Sequence, residues 1–197
     1  MIIPNSPTLI NPGAIVSFEG PLVPFADSRS AEVRHHPKYG KGVFCKHPIT
    51  AGEHIAAFNG RVHRGYFDDD LPQHLINHGL QFGPDLVRDS LGYARSMNHS
   101  CSPNAGVKDL FRLVAMRNIA PDEEIVWDYE MAENADWSML CTCGESSCRR
   151  VIAAYRFLPQ EFRNRYEGYI SQYLLDAEIP VEPMPEELVE RTFQAAN

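Results

Sequence analysis

With 197 residues, 44% of them hydrophobic and 22% charged, the chain has the size of one ordinary domain and enough apolar mass to build its own core. A formal charge of −8 at pH 7 argues against direct nucleic-acid binding and mildly favours a basic partner. No run of about eighteen apolar residues occurs, and Met1–Pro7 lacks the basic region and apolar core of a signal peptide. A membrane span is therefore not expected, and the chain reads as intracellular, cytoplasmic or nuclear.

Residues 1–29 carry the strings P-N-S-P, N-P-G, G-P and V-P, which favour turns and extended chain over helix and predict a surface arm. Between Ala31 and Arg61 the runs G-V-F-C, P-I-T-A-G-E and I-A-A-F-N-G predict short β-strands broken by turns. Gly40 and Gly42 flank Lys41, so the backbone there can lie close against a ligand where a Cβ would intrude. Residues 62–85 hold Asp68, Asp69, Asp70 and the scattered histidines His63, His74 and His78. These histidines lack metal-ligand spacing and read as surface residues, the aspartates as a solvated loop.

A strand over 86–90 leads into Arg95–Asn104, R-S-M-N-H-S-C-S-P-N. Two carboxamides, an imidazole, three hydroxyls and a thiol around one proline suit a buried turn that grips a ligand. The following V-K-D-L-F-R-L-V-A-M-R-N-I alternates apolar and polar residues and predicts a hairpin, closed by a turn at Pro121, Asp122 and Glu123.

Cys141, Cys143 and Cys148 are spaced C-x-C-x4-C. Three thiolates so spaced can hold one face of a tetrahedral zinc, and a structural site needs a fourth ligand, for which Cys101 is the candidate. Five cysteines, three crowded into eight residues, suit a metal in a reducing compartment better than a disulfide framework. Cys45 is left as a small buried hydrophobe on a strand. From Leu158 the pattern turns helical. Pro159 suits a first turn, and Phe162, Tyr166, Tyr169, Ile170, Tyr173 and Leu174 recur on one face, a core stripe that packs across the cysteine segment or a second copy. A short acidic helix is predicted over 185–195.

N-H-S-C-S-P-N, then E-E-I-V-W-D-Y at 123–129, then C-x-C-x4-C, with G-K-G-V-F at 40–44 and A-G-E and F-N-G at 51–60 ahead of them, resemble the SET-domain protein lysine methyltransferases with a post-SET zinc segment. The resemblance covers roughly 30–152. It implies a mainly β fold with some α, built of short sheets around a knot-like crossing, an exception to the usual avoidance of threading. The implied layout is an arm at 1–29, a SET domain at 30–130, a post-SET zinc segment at 137–153 and a helical extension at 154–197.

By the same resemblance the cofactor is S-adenosylmethionine, held by Lys41, Gly42, Val43, Arg95, Asn98, His99, Tyr129, Leu140 and Val151. Tyr129 is the catalytic residue, Phe58, Tyr93 and Trp127 line the substrate channel, and Cys101, Cys141, Cys143 and Cys148 hold one structural zinc. The implied partner is a basic lysine-bearing protein segment, with no membrane, and a homodimer could form through the C-terminal helix. Methyl transfer to an amine needs a neutral nitrogen, and a free lysine has a pKa of about 10.4. An apolar aromatic channel must therefore desolvate it, while alignment at about 3–3.5 Å lowers the barrier by about 7–11 kcal/mol. Tyr129 then orients the amine rather than removing its proton.

Two positions depart from the family. Trp127 stands where relatives have Phe or Tyr, and its bulk favours monomethylation. Phe58 stands where many have Tyr, a hydroxyl that Tyr93 could replace. The competing readings are a non-catalytic peptide-binding module of the same fold and a purely structural zinc protein.

Overall fold

The computed structural model describes residues 16–18, 20, 23–64 and 78–195; Asp68–Asp70 and His74 lie outside them. Among the described residues three antiparallel sheets form the body, each containing one hairpin of consecutive strands joined to strands more distant in sequence. Strands β2 (Ala31–His36) and β3 (Gly40–Cys45) pair from Ala31↔Cys45 to His36↔Gly40. Their turn closes because His36 Nδ1 accepts from the backbone N–H of both Lys38 and Tyr39, at 3.1 Å each, and because Gly40 takes φ +76°, a region open to glycine at little cost. β10 (Glu124–Ile125) joins the other edge of β3.

The second sheet runs β4 (His54–Ala57), β9 (Arg112–Ala115), β8 (Ala105–Lys108). Its β8–β9 hairpin is the one read from the alternating pattern, with Asp109 at φ 59° in the turn, where a short polar side chain is tolerated. The third sheet orders β1 (Val16–Phe18), β5 (Val62–Arg64), β7 (Leu86–Arg88) and β6 (Leu80–Gly83). The end of the N-terminal segment is thus a sheet strand, Val16 opposite Arg64 and Phe18 opposite Val62, and not only a surface arm.

Between the sheets lie Ile55, Phe58, Leu80, Leu113, Ile119, Ile125 and Met131, all 2% exposed or less. Cys45 is fully buried on β3, as expected of a small hydrophobe. A separate two-residue ladder, β11 (Met139–Leu140) with β12 (Val151–Ile152), frames the cysteine-rich segment.

The aromatic stripe after Leu158 is two helices, α1 (Gln160–Arg165) and α2 (Gln172–Asp176), instead of one. Gly168, at φ +80°, turns the chain between them, and the link presses so close to β8 that a Cβ on Gly106 would sit 2.6 Å from Tyr169 Cβ. Phe162, Tyr166, Ile170 and Leu174 all enter the main core. Those four side chains are thus covered by their own chain. α3 (Glu186–Ala195) is the acidic terminal helix, and no helix among the described residues is long and apolar enough to cross a membrane.

Candidate active site

Residues 98–104 run beside 124–127, and side-chain amides stitch the two stretches together. The Asn104 carboxamide accepts from Val126 N–H (2.9 Å) and donates to the Glu124 carbonyl (2.7 Å) and to Glu123 Oε1 (3.0 Å). Trp127 N–H donates to the Asn98 carbonyl and Ser100 N–H to the Trp127 carbonyl, at 3.2 and 3.1 Å. Those two bonds flank His99, whose own N–H and C=O stay outside the bridge. Asn98 Nδ2 donates to the Lys41 carbonyl (2.9 Å) and Glu124 Oε1 (2.7 Å), which leaves its Oδ1 as the acceptor for a ligand. Gly42 faces the same point; a Cβ there would lie 2.6 Å from Glu124 Oε1 and 3.2 Å from Asn98 Nδ2.

Tyr129 opens a short 3-10 turn, Tyr129–Met131, capped by Asp128, whose carboxylate accepts from Glu130 N–H at 3.2 Å. The Tyr129 hydroxyl donates to the Met97 carbonyl at 3.1 Å. Burial, reinforced by Tyr39 and Glu124, raises the phenol's pKa above its ordinary value, so it remains a neutral donor. Its ring stands 5.1 Å from Trp127 and 5.3 Å from His99, and Trp127 meets Phe58 at 6.0 Å.

Sequence reasoning missed the cluster that fixes this turn. Asp128, fully buried, accepts from Arg149 Nη2 (2.6 Å) and from the Tyr166 hydroxyl (3.0 Å), and the same Nη2 lies 2.8 Å from Glu130 Oε2. The signal was present in the D of D-Y and the R-R after the last cysteine, but nothing in the spacing says that they meet. One guanidinium between two buried carboxylates divides them unequally. Burial alone would lower the Arg149 pKa, yet Asp128 and Glu130 raise it and keep it charged. Burial and Asp128 push the Glu130 carboxyl up to about 8. An acid held above its unfolded value of about 4.3 binds an extra proton in the native state, so its contribution is full at low pH and is lost as pH rises toward 8. Melting curves from pH 5 to 8 should therefore show Glu130→Gln gaining on the wild type as pH rises, by at most about 1.4 kcal/mol per pH unit; parallel curves would contradict the assignment.

Sulfur atoms of Cys101, Cys141, Cys143 and Cys148 lie within 4.8 Å of one another. Cys101 and Cys141 are 3.7 Å apart, close to the roughly 3.8 Å edge of a tetrahedron with 2.3 Å metal–sulfur bonds. The donor set fits one tetrahedral metal ion. The Cys101 thiol is pulled down to about 3 by the Cys141 thiol, against the effect of burial, with further help from His99 and Arg149 N–H; the same contact pushes Cys141 up. A cation at the centre would take the place of that shared proton. His99 Nε2, 3.4 Å from Cys101 Sγ, and Nδ1, which accepts from Tyr129 N–H at 3.4 Å, tie the sulfur cluster to the tyrosine through one ring.

Successive residues of the 97–99 segment line two cavities, Met97 the first and Asn98 and His99 the second. The first, of about 490 Å³, is largely aromatic, with Phe58, Met97, Trp127, Tyr129, Trp137 and Arg95 around it. Among the described residues the buried Trp127 indole N–H there has no hydrogen-bond partner. The second, of about 290 Å³, is polar, with His36, Tyr39, Asn98, His99, Glu124 and Thr142. Over it the Lys38 ammonium and the Tyr39 hydroxyl (3.2 Å) both reach the Thr142 carbonyl, so the β2–β3 turn holds down the cysteine segment.

Most of the residues expected at a site therefore converge, and some do not. Val43 is fully buried in the core with its backbone paired to both Val33 and Ile125, so it supports the loop from behind. Tyr93 is not among the residues lining either cavity and packs on the core, its N–H bonded to Asp27. Leu140 and Val151 pair with each other and line outer surfaces on either side of the ladder.

The profile of the SET domain matches residues 40–130. Over 131 residues, 58% of this chain, it is 31% identical to histone-lysine N-methyltransferase 2B of Homo sapiens, and over 130 residues it is 28% identical to the trithorax histone-lysine N-methyltransferase of Drosophila virilis. The match spans only 5% and 3% of those proteins. A crystal structure of KRYPTONITE with mCHG DNA and SAH superposes with a TM-score of 0.50 at 28% identity, covering 61% of this chain and 28% of that one; another contains mCHH DNA, an H3(1-15) peptide and SAH. The expectation of no nucleic acid, drawn from net charge, is corrected to this extent: a protein of this fold has been solved on DNA. With its N-H-S-C and W-D-Y segments bridged side by side next to a four-cysteine cluster, this chain carries a SET domain over residues 40–130.

Proposed function

We propose that the chain is an S-adenosylmethionine-dependent protein lysine N-methyltransferase acting on a basic, lysine-bearing peptide segment. The observation that carries the reading is the pair of unlike cavities lined by successive residues, Met97 on the aromatic one and Asn98 and His99 on the polar one, with Tyr129 and Trp127 in the wall of the aromatic cavity. The polar cavity, whose wall includes Asn98 and His99, suits a nucleoside carrying an amino-acid end. The aromatic cavity suits the apolar stem of a lysine. When bound, the cofactor supplies an electrophilic methyl group.

This chain's own residues do the rest. Phe58, Met97 and Trp127 exclude water from the lysine stem, which favours the neutral amine. The Met97 carbonyl and the Tyr129 hydroxyl that it anchors fix where the amine sits. Trp127, 4% exposed and in contact with both Phe58 and Tyr129, fills space that a second methyl group would need, and one methyl per lysine is the expected product. We take the metal to be zinc, because four thiolates at tetrahedral spacing are a structural zinc donor set.

Mass spectrometry of a basic peptide panel incubated with labelled cofactor tests the activity and the product. In the same system Asn98→Ala removes both the cofactor-facing oxygen and the tie to Lys41 and Glu124. Its affinity for the cofactor product by titration calorimetry should fall by roughly tenfold or more. Peptide binding with no cofactor binding in the wild type would point instead to a non-catalytic module.

A further inference from the structure

We infer that the C-terminal helix α3, which lies beyond the SET and cysteine segments, braces the outer wall of the aromatic cavity through Thr192, making Thr192 a positioning residue for the peptide substrate; this rests on the methyltransferase reading above. Three residues in a row, Trp137, Ser138 and Met139, form that wall. They enter β11, a ladder of only two residue pairs, which is too short to hold its own shape. What holds them from outside is the helix.

Thr192 is the buried residue of α3, at 6% exposure. Its hydroxyl donates to the Leu188 carbonyl one turn back, at 2.7 Å, which uses its only proton. The 2.6 Å contact with Ser138 Oγ must then have Ser138 as donor, so the Ser138 rotamer is set by the helix. Leu188 and Met184 pack against Ala153, Ala154 and Phe157. From the other flank Arg156 donates to the Asn134 carbonyl at 2.9 Å and pairs with the Asp136 carboxylate, while Glu182 N–H donates to the Arg156 carbonyl at 2.7 Å.

Residues 134–139 are thus gripped between Arg156 and Thr192, and both grips depend on the 182–192 segment. A ten-residue helix is marginal in water without a docking face. Helix docking and the shape of the cavity wall are therefore one equilibrium. The polar cofactor cavity shares none of these residues, so loosening the brace should weaken peptide binding and leave cofactor binding alone.

The test compares the full-length wild type with Thr192→Val, Thr192→Ser and Ser138→Ala. Thr192→Val should raise the peptide KM by about fivefold, the effect of one buried hydrogen bond, with kcat and affinity for S-adenosylhomocysteine within about twofold, and Thr192→Ser should restore the KM. Amide exchange of 136–140 should speed up in Thr192→Val and in Ser138→Ala while that of 97–101 stays as in the wild type. An unchanged KM, an equal loss of cofactor affinity, or unchanged exchange at 136–140 would overturn the brace. If the wild type proves to have no methyltransferase activity, the activity assignment fails and the exchange data alone decide the brace.

Discussion

Removing the metal with a chelator, or replacing Cys101 with serine, should unfold residues 137–152 and abolish methyl transfer while the three main sheets survive. The β11–β12 ladder contributes two residue pairs, and the apolar cluster around the sulfurs is small: Cys101, Cys141 and Ile152, with Trp137, Cys143 and Cys148 packed on it. Burial on that scale offsets little of the entropy of ordering sixteen residues, at about 1–2 kcal/mol each. Structural zinc on thiolates contributes about 10–16 kcal/mol in small domains, so the ion decides whether the segment is ordered. Three donors come from the segment and the fourth, Cys101, from the N-H-S-C turn, so Cys101→Ser cuts the link as well as the site. His99, whose ring bridges Cys101 and Tyr129 N–H, would lose its anchor at the same time. Hydrogen exchange resolved by segment should show 137–152 losing protection first; protection unchanged after the metal is gone would sink the idea that the cysteines hold an ion at all.

Legibility of the sequence followed locality. Gly40 and Gly42, the 105–115 hairpin and the C-x-C-x4-C run announce themselves within a dozen residues, because each is set by its own turn chemistry or spacing. The Cys101 donor could be named because only one other cysteine was available outside the cluster. What stayed hidden depends on partners far apart in the chain. Asp128 meets Arg149 and Tyr166 across gaps of 21 and 38 residues, and a buried guanidinium reads in sequence like any surface arginine. Val43 is assigned to the cofactor by resemblance alone, yet side chains alternate along a strand, and this one is buried in the core. The stripe after Leu158 obeyed helical spacing through Gly168, where the backbone turned out of the helix while the apolar residues still reached the core. Thr192 carried no signal, since its partner is Ser138, 54 residues earlier.

Tyr129→Phe should reduce kcat by about a hundredfold, the scale on which a misplaced reacting group costs rate, with cofactor-product affinity changed by less than about threefold. The phenol sits where its oxygen is 3.1 Å from the Met97 carbonyl, on the aromatic cavity proposed for the lysine. Deleting the hydroxyl removes that tether and leaves the ring, which keeps its contacts with Trp127 and His99; the fold should therefore be intact and the loss confined to catalysis. Because burial raises the phenol's pKa, Tyr129 is uncharged across the working range and cannot be the group that accepts the lysine proton near neutrality. The pH profile of kcat should accordingly keep its shape in Tyr129→Phe and shift only downward. A profile that loses its alkaline or acidic limb in the variant would make Tyr129 the base after all, and an unchanged kcat would remove it from the reaction.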